Sequence, residues 1–405
     1  MVKYTKIIGD YKFIQYELLY YSYWIKNIYQ FILIKQIMKI IKQLIFLLLF
    51  FLLQISCSNL NKKNKSVETQ NDRFELPQKE LKGHKLKCDS TIMGLRVDFI
   101  CNNKLIIEEL SQHKLYSIFN LKNDSLQKIS SFLEKGNGPF EVTNSFYQTT
   151  DSSIYIANYT GTINKIYKIN NNNIFDKSKW ITLTIPQEHK ALLFPNFIML
   201  NDSICISTGG DLLKDNILTA IDYKSGIIKG IDFKFPGFKI SGNGCAANFL
   251  VYCDAQINKH PKLSKFVYTC RLGRFIEIFE MDGMNIIQKI PIYSSYPIYK
   301  ASGDRRVIDN DCLMGAVTKV TKDYIYCLIT PYTYKESIEN KEYKGLPNYF
   351  GDNLYIFDWN GKLIDSYLLD IPVCSFCVDS SNKYIIASSI DGESFILKKY
   401  NLNMP

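Results

Sequence analysis

The stretch FIMLNDSICI (residues 197–206) decides the fold class, because it holds two short apolar runs on either side of a polar turn. Short runs rich in Ile, Phe, Tyr and Val, bounded by Asn, Asp and Ser, are typical of β-strands. The same arrangement recurs as VDFICNNKLII (97–107), VTKVTKDYIYC (317–327) and FCVDSSNKYII (376–386), with further copies beginning at Phe146 and at Phe249-Leu250-Val251-Tyr252. The chain from about residue 75 onward is therefore predicted to be all-β.

The spacing of these copies predicts the architecture. The marker residues are separated by 47, 51, 52, 68 and 59 positions; they are Phe99, Phe146, Phe197, Phe249, Val317 and Phe376. Repeats of this length, each with about four short strands, are typical of β-propeller blades. A two-sheet sandwich is the competing all-β interpretation, but it would not need six copies of one unit. We predict a single six-bladed β-propeller over residues 75–405.

The last repeat is one strand short. After Phe376 the chain supplies only three strands, whereas residues 80–88 (ELKGHKLKC) alternate in polarity before the first repeat. A strand from the N-terminal end of the domain would complete the last blade and remove the edges that an open ring exposes. We therefore expect the ring to be closed by an N-terminal strand.

The N-terminus carries an export pattern. The basic segment MKIIKQ (38–43) is followed by ten apolar residues (44–53) and then by Gln54-Ile55-Ser56-Cys57. These are the parts of a secretory signal, and the apolar run is shorter than the roughly 20 residues that span a bilayer. Ser56-Cys57 resembles the end of a bacterial lipobox, which predicts lipidation of Cys57.

This pattern divides the N-terminal region into three parts. Residues 38–56 are predicted to be a lipoprotein signal peptide and residues 57–74 a flexible polar tether. Residues 1–37 are interpreted as an over-extended N-terminus, with Met38 as the true start. The alternative is an uncleaved signal anchor with a cytoplasmic leader. The expected location is the cell envelope, lipid-anchored, in the outer membrane of a Gram-negative bacterium.

The net charge of +10 does not predict a nucleic-acid partner. Residues 1–56 contain seven Lys against Asp10 and Glu17, so about half of the excess lies in the export segment. Only six residues of the whole chain are Arg. Surfaces that read phosphates usually depend on Arg, so scattered Lys indicates a solvated surface instead.

One motif resembles a known family. The stretch LEKGNGPFE (133–141) resembles the glycine-rich G-x-GPGE turn between the first two blades of the TolB-like six-bladed propeller lipoproteins, with Phe140 where that family has Gly. The stretches HPKLSKFVY (260–268) and YIFDWNG (355–361) extend the resemblance, which runs from about residue 80 to the end. It implies a six-bladed propeller and a lipid-anchored location, and it implies no established reaction.

Cysteine and histidine form no dense metal-ligand or nucleophile pattern. Cys374 and Cys377 are spaced as CxxC, but residues three apart in a strand point to opposite faces. The other Cys lie mostly inside apolar strands, and the four His (His84, His113, His189 and His260) are isolated in predicted surface turns. We therefore predict no metal, no cofactor and no catalytic residue.

The remaining candidates are arginines near predicted loops. Arg271, Arg274, Arg305 and Arg306 are the predicted ligand-binding residues, and Arg96, Asp98 and Asp304 complete a weaker polar set. Guanidinium groups at a propeller rim suit an anionic or glycan ligand. The favoured function is a non-enzymatic envelope binding module that recognises a protein, peptide or glycan. The alternative is an envelope hydrolase or lyase that uses the central pocket.

Overall fold

A computed structural model describes residues 79–404 of the chain. Within that range it leaves out residues 102, 111–112, 144, 160–162, 185–192, 211–215, 236–244, 303–304, 340–349 and 393. The predicted leader (1–37), signal peptide (38–56), lipidated Cys57 and tether (57–74) lie outside the described residues, and so does Asp304. Those assignments remain predictions.

The chain begins with three very short strands and then forms the first three blades. The opening strands are β1 (Lys79–Leu81), β2 (His84–Lys85) and β3 (Lys87–Cys88). Blade 1 contains β4 (Val97–Cys101), β5 (Lys104–Glu108), β6 (Lys114–Lys122) and β7 (Ser125–Lys135), with β8 (Glu141–Val142) beside β7. Blade 2 contains β9 (Ser145–Thr149), β10 (Ser153–Tyr159), β11 (Ile163–Asn170) and β12 (Ile181–Thr184). Blade 3 contains β13 (Leu193–Met199), β14 (Ile204–Gly210), β15 (Asn216–Asp222) and β16 (Ile228–Lys234).

The second half repeats the pattern with two helices and one extra hairpin. Helix α1 (Cys245–Tyr252) precedes blade 4, which contains β17 (Ala255–Lys259), β18 (Lys265–Cys270), β19 (Arg274–Asp282) and β20 (Asn285–Ser295). The hairpin β21 (Tyr299–Ser302) and β22 (Arg305–Ile308) precedes blade 5. Blade 5 contains β23 (Ala316–Val320), β24 (Tyr324–Ile329), β25 (Gly351–Asp358) and β26 (Leu363–Val373), with α2 (Tyr334–Glu339) between β24 and β25. Blade 6 contains β27 (Ser375–Val378), β28 (Tyr384–Asp391) and β29 (Ser394–Asn401).

The predicted closure by an N-terminal strand is confirmed. Strand β2 pairs antiparallel with β29 and supplies the fourth strand of blade 6. The same segment also pairs with the two neighbouring blades, since β1 lies parallel to β26 of blade 5 and β3 lies parallel to β7 of blade 1. We call residues 79–88 the strap. It joins three consecutive blades across the point where the ring closes.

The core lies between the blades. In the described residues, six apolar clusters each join one adjacent pair of blades around the ring. In blade 6, for example, Phe376 packs toward blade 5 while Cys377 packs toward blade 1. Both faces of each sheet are therefore buried, which explains why the strands read as nearly continuous apolar runs.

The start of the fourth repeat was predicted wrongly. Phe249-Leu250-Val251-Tyr252 was expected to be a strand, but it forms the end of α1, and blade 4 begins at β17. Four consecutive apolar residues do not distinguish a strand from a buried helical turn. The helix buries Val251 and Tyr252 completely and leaves Leu250 exposed.

The glycine-rich turn at residues 136–139 forms as expected. The backbone N–H of Gly138 donates to the Glu141 carboxylate at 2.8 Å. A Cβ atom on Gly136 would lie 2.1 Å from a carboxylate oxygen of Glu141, so a larger residue there would displace the Glu141 side chain. Phe140 adopts a left-handed φ of 57°, and its ring packs at 5.9 Å from the rings of both Tyr167 and Trp180.

Candidate functional site

The first strands of the six blades surround a central channel with a volume of about 410 Å³. Each blade contributes side chains to its wall; one residue from each blade in turn is Asp98, Tyr147, Phe197, Gln256, Lys319 and Ser375. The wall combines apolar side chains with many polar and charged ones, and concave pockets where polar groups converge are where ligands usually bind. The channel is therefore the candidate site.

Several polar side chains of the wall hold the blades together. The Gln148 carboxamide of blade 2 accepts the backbone N–H of Met199 in blade 3 at 2.7 Å. Gln256 of blade 4 does the same for the N–H of Thr318 in blade 5, also at 2.7 Å. The Ser375 hydroxyl of blade 6 accepts the N–H of Val97 in blade 1 at 3.3 Å. These groups satisfy the backbone of a neighbouring blade, so their first role is structural.

An ion pair crosses the channel. The Lys319 ammonium of blade 5 lies 2.5 Å from the Asp98 carboxylate of blade 1, and both side chains are largely buried, at 17% and 19% exposure. Blade 6 lies between these two blades in the ring, so the pair spans more than one blade interface. Asp98 belonged to the weaker polar set; it is paired inside the channel with a lysine that sequence reasoning had not selected.

One end of the channel collects charged groups from blades 1 and 4 and a thiol from blade 6. Arg96 precedes β4, Glu108 ends β5, Arg271 follows β18 and Cys374 precedes β27. All four line the channel, and all four lie where the innermost strands begin. We call this end the mouth.

Arg96 and Glu108 form the blade 1 side of the mouth. The Arg96 guanidinium donates to the Tyr147 carbonyl at 2.9 Å and lies 4.1 Å above the Tyr147 ring. Burial raises the pKa of Glu108, while the positive charge of Arg96 acts in the opposite direction. Arg96 was in the weaker polar set, but Glu108 was missed. Glu108 is the last residue of β5, which is the second strand of its repeat. A charged residue at that position was the signal that could have identified it.

Arg271 forms the blade 4 side of the mouth. Its Nε atom lies 3.6 Å from the Asp254 carboxylate. Across the channel, burial raises the pKa of the Cys374 thiol to about 11; Arg271 lowers that pKa and Glu108 raises it, so both charges act on this thiol. Of the four arginines predicted to bind a ligand, Arg271 is the one that lines the channel.

The other predicted arginines occupy different environments. Arg306, in β22, lies 3.6 Å from the same Asp254 carboxylate and donates to the Leu250 carbonyl of α1. Arg305 is exposed on the same hairpin, opposite Ser302. Arg274 is only 7% exposed at the start of β19, so it lies in the interior and not on the positive rim where it was expected. Gly273 forms a tight turn, and Arg274 follows it as the first residue of the buried strand β19.

The described cysteines form no disulfide with one another. Cys205 and Cys377 pack in apolar clusters, and burial raises the pKa of Cys205 to about 12. His260 differs from the expected surface position: it is 5% exposed, and its ring nitrogens bond to the Lys322 carbonyl and to the N–H groups of Lys262 and Leu263. Its role is to fix a turn.

Metal-binding and membrane-spanning features bear on the function. No group of three or more His, Cys, Asp or Glu side chains among the described residues is placed to hold a metal ion. No helix among the described elements is long and apolar enough to cross a membrane.

Comparisons with known proteins point to one family. No curated protein matches the chain. Among solved structures, it is similar to a protein of Bacteroides fragilis NCTC 9343 described as a "Putative exported protein", with 14% identity, a TM-score of 0.45, and coverage of 80% of this chain and 95% of that one. The family model described as "TolB-like 6-blade propeller-like" matches residues 78–381, which is most of the chain. The resemblance stated from residues 133–141 is thereby confirmed, and the chain belongs to the TolB-like six-bladed propeller family.

Proposed function

We propose that the protein is a cell-envelope lipoprotein whose propeller is a non-enzymatic binding module for a protein, peptide or glycan partner. The observation that carries the proposal is the mouth, where charged side chains from blades 1 and 4 meet the Cys374 thiol of blade 6 at one end of the channel. The strands beneath it are committed to packing between blades. Loops and strand ends at one face of a rigid scaffold are the usual positions of binding residues.

The charge of the site favours an anionic partner. The channel wall contains Arg96, Lys259, Arg271 and Lys319 against Asp98 and Glu108. Basic side chains therefore outnumber acidic ones on the wall, which favours entry of an anionic ligand into the channel.

Capture from an envelope extract tests the binding role. Arg271, Arg305 and Arg306 are replaced together by Ala, and Arg274 is left intact because it is buried. We expect the triple variant to keep nearly the wild-type melting temperature, since partly exposed charges contribute little to stability. The triple variant should no longer capture the partners that the wild-type protein captures. Capture by the wild-type protein should weaken as the salt concentration rises. Unchanged capture by the triple variant would reject these arginines as the binding surface.

The envelope location rests on the sequence pattern at residues 38–57 and is tested separately. Expressed from Met38, the protein should incorporate labelled fatty acid and partition into detergent, whereas Cys57→Ser should do neither. Equal membrane retention of the Cys57→Ser variant would favour the uncleaved signal anchor.

The alternative function, an envelope hydrolase or lyase, requires acid and base groups that act together in the channel. Two carboxylates, Asp98 and Glu108, line it, but no histidine does so among the described residues. Asp98 is held by Lys319 and Glu108 is beside Arg96. This arrangement favours binding over catalysis.

A further inference from the structure

Lys259 lines the channel without an acidic partner among the described residues. It is the last residue of β17, so it lies at the end of that innermost strand that is opposite the mouth. Its ammonium donates to the backbone carbonyl of the next residue, His260, at 3.2 Å. Burial lowers the pKa of Lys259, and no carboxylate of the described residues acts in the opposite direction. The positive charge of Lys259 is therefore not balanced by this part of the chain.

Lys319, the other lysine of the channel wall, is in a different situation. It belongs to β23, the innermost strand of blade 5, and its ammonium is 2.5 Å from the Asp98 carboxylate. Partial burial of an ammonium group costs free energy unless an opposite charge compensates it. Asp98 supplies that charge for Lys319, whereas a counter-charge for Lys259 can come from a bound ligand. Natural proteins accept such local costs mainly at functional sites.

The backbone that carries Lys259 is fixed on both sides. On one side, the Asn258 carboxamide donates to the Thr318 hydroxyl of blade 5 at 2.9 Å. On the other side, His260 is only 5% exposed, and its Nε2 atom bonds to the Lys322 carbonyl at 2.9 Å. The strand end is therefore held in place before any ligand arrives. A group that is positioned in advance loses less conformational entropy on binding.

The chemistry of the ammonium group indicates which ligand it suits. A lysine ammonium is a compact positive charge with three N–H donors, and the His260 carbonyl takes one of them. The other donors and the full charge are suited to the oxygens of a carboxylate or a phosphate, with which an ammonium forms charge-assisted hydrogen bonds. A neutral hydroxyl or amide could accept the hydrogen bonds but would leave the charge uncompensated.

We propose that Lys259 binds an oxyanion group of the ligand, a carboxylate or a phosphate, at the end of the channel opposite the mouth. This inference rests on the proposed binding function and adds the chemical group that is recognised and the residue that recognises it. Acidic sugars, sugar phosphates and peptide C-termini share this chemistry, and the experiment separates them.

The experiment measures the binding of small probes to the protein by NMR or calorimetry. Glucuronate and glucose 1-phosphate are compared with glucose, and N-acetylalanine is compared with its amide. We expect at least one anionic probe to bind with a dissociation constant of about 1 to 10 mM and at least about tenfold more tightly than its neutral counterpart. The anionic probe that binds most tightly identifies the sugar carboxylate, the phosphate or the peptide C-terminus as the source.

Substitutions at Lys259 separate its charge from its place in the structure. Lys259→Gln should weaken binding of the anionic probe about tenfold or more, because it removes a charge-assisted hydrogen bond. Its melting temperature should not fall, since no ion pair within the described residues is lost. Lys259→Arg keeps the charge and should retain the preference for the anionic probe. Lys262→Gln, in the exposed turn that follows, is the matched control and should leave binding unchanged.

Two results would overturn the inference. One is equal binding of the anionic and neutral probes, which includes the absence of any anionic binding up to about 50 mM. The other is unchanged anionic binding by folded Lys259→Gln. Capture of an envelope partner that is lost in the triple arginine variant but kept in Lys259→Gln would also reject Lys259, and it would leave the proposed binding function intact. The failure of this inference is therefore distinguishable from the failure of the proposed function.

Discussion

His84 pairs with Lys399 in an antiparallel ladder, although the two residues lie near opposite ends of the described chain. The pairing continues with Lys85 opposite Lys398, and the N–H of Leu86 then donates to the carbonyl of Leu397 at 2.8 Å. The Leu86 side chain is buried in the cluster between blades 6 and 1. The strap therefore closes the ring with both backbone bonds and apolar packing.

Deletion of residues 75–90 tests the role of the strap. The deletion exposes the outer edges of blades 5 and 6 and removes Leu86 from the core, so we expect aggregation or rapid proteolysis. Size-exclusion chromatography and limited trypsin digestion measure the two effects. Deletion of residues 58–70 is the control and should leave stability unchanged, because the predicted tether buries nothing. A monomeric, protease-resistant 75–90 deletion would show that blade 6 does not need the strap.

Gln256→Ala tests the bonds between blades at the channel wall. The substitution leaves the buried N–H of Thr318 without the carboxamide oxygen that it meets at 2.7 Å. An unsatisfied buried donor costs about 1–3 kcal/mol, so the free energy of unfolding in urea should fall by that amount. Gln127→Ala, at an exposed position of β7, is the control and should change it by less than about 0.5 kcal/mol. Equal values for the two variants would contradict a structural role for the channel carboxamides.

Phe140 allows a test of local strain against packing. Phe140→Ala keeps the left-handed backbone and loses the ring contacts with Tyr167 and Trp180. Phe140→Gly loses the same contacts but relieves the strain, which is about 1–2 kcal/mol for a residue with a Cβ atom. Both variants should be less stable than the wild type, and the Gly variant should melt above the Ala variant. The reverse order would show that the left-handed conformation at this turn carries little strain.

Glu134 links blade 1 to the connection between β11 and β12 of blade 2 and predicts a pH dependence. Its carboxylate lies 2.6 Å from both Lys114 and Lys177, and these hydrogen bonds lower its pKa to about 2 from an ordinary value of 4.5. A lowered folded-state pKa contributes stability above pH 4.5 that is lost as the pH falls toward 2.

Glu134→Gln should therefore be less stable than the wild type at pH 7. The difference should stay below about 1 kcal/mol, since the side chain is 39% exposed and solvent screens the pair. It should shrink as both proteins are unfolded at lower pH and vanish near pH 2. A difference that is constant from pH 7 to pH 3 would exclude the ion pairs as its cause.

Much of the fold could be predicted from the sequence because propeller blades repeat. Counting strands after Phe376 was enough to show that a strand was missing, and residues 80–88 had the alternation to supply it. The start of blade 4 could not be predicted, because α1 buries the same apolar residues that a strand would.

The site could be predicted only in part. Arg271 and Arg306 were selected for their type and their loops, but their meeting at Asp254 depends on how blade 4, the hairpin and α1 pack. Local sequence does not determine such contacts between distant segments. Lys319 lay inside a predicted repeat and Glu108 directly after one, where a charged residue usually indicates a solvated face. In a propeller the innermost strands face the channel, so a charge there can line the site.

Blocking the channel with a bulky side chain tests whether the channel is the binding site. Asn196→Trp places a large ring in the channel wall, and Asn172→Trp adds the same ring at an exposed turn of blade 2 as the control. Wild type and both variants are applied to one array of envelope glycans and peptides, after thermal unfolding has confirmed that all three are folded. We expect wild type and Asn172→Trp to bind the same array members, and we expect Asn196→Trp not to bind them. Retention of those members by folded Asn196→Trp would contradict the channel as the binding site.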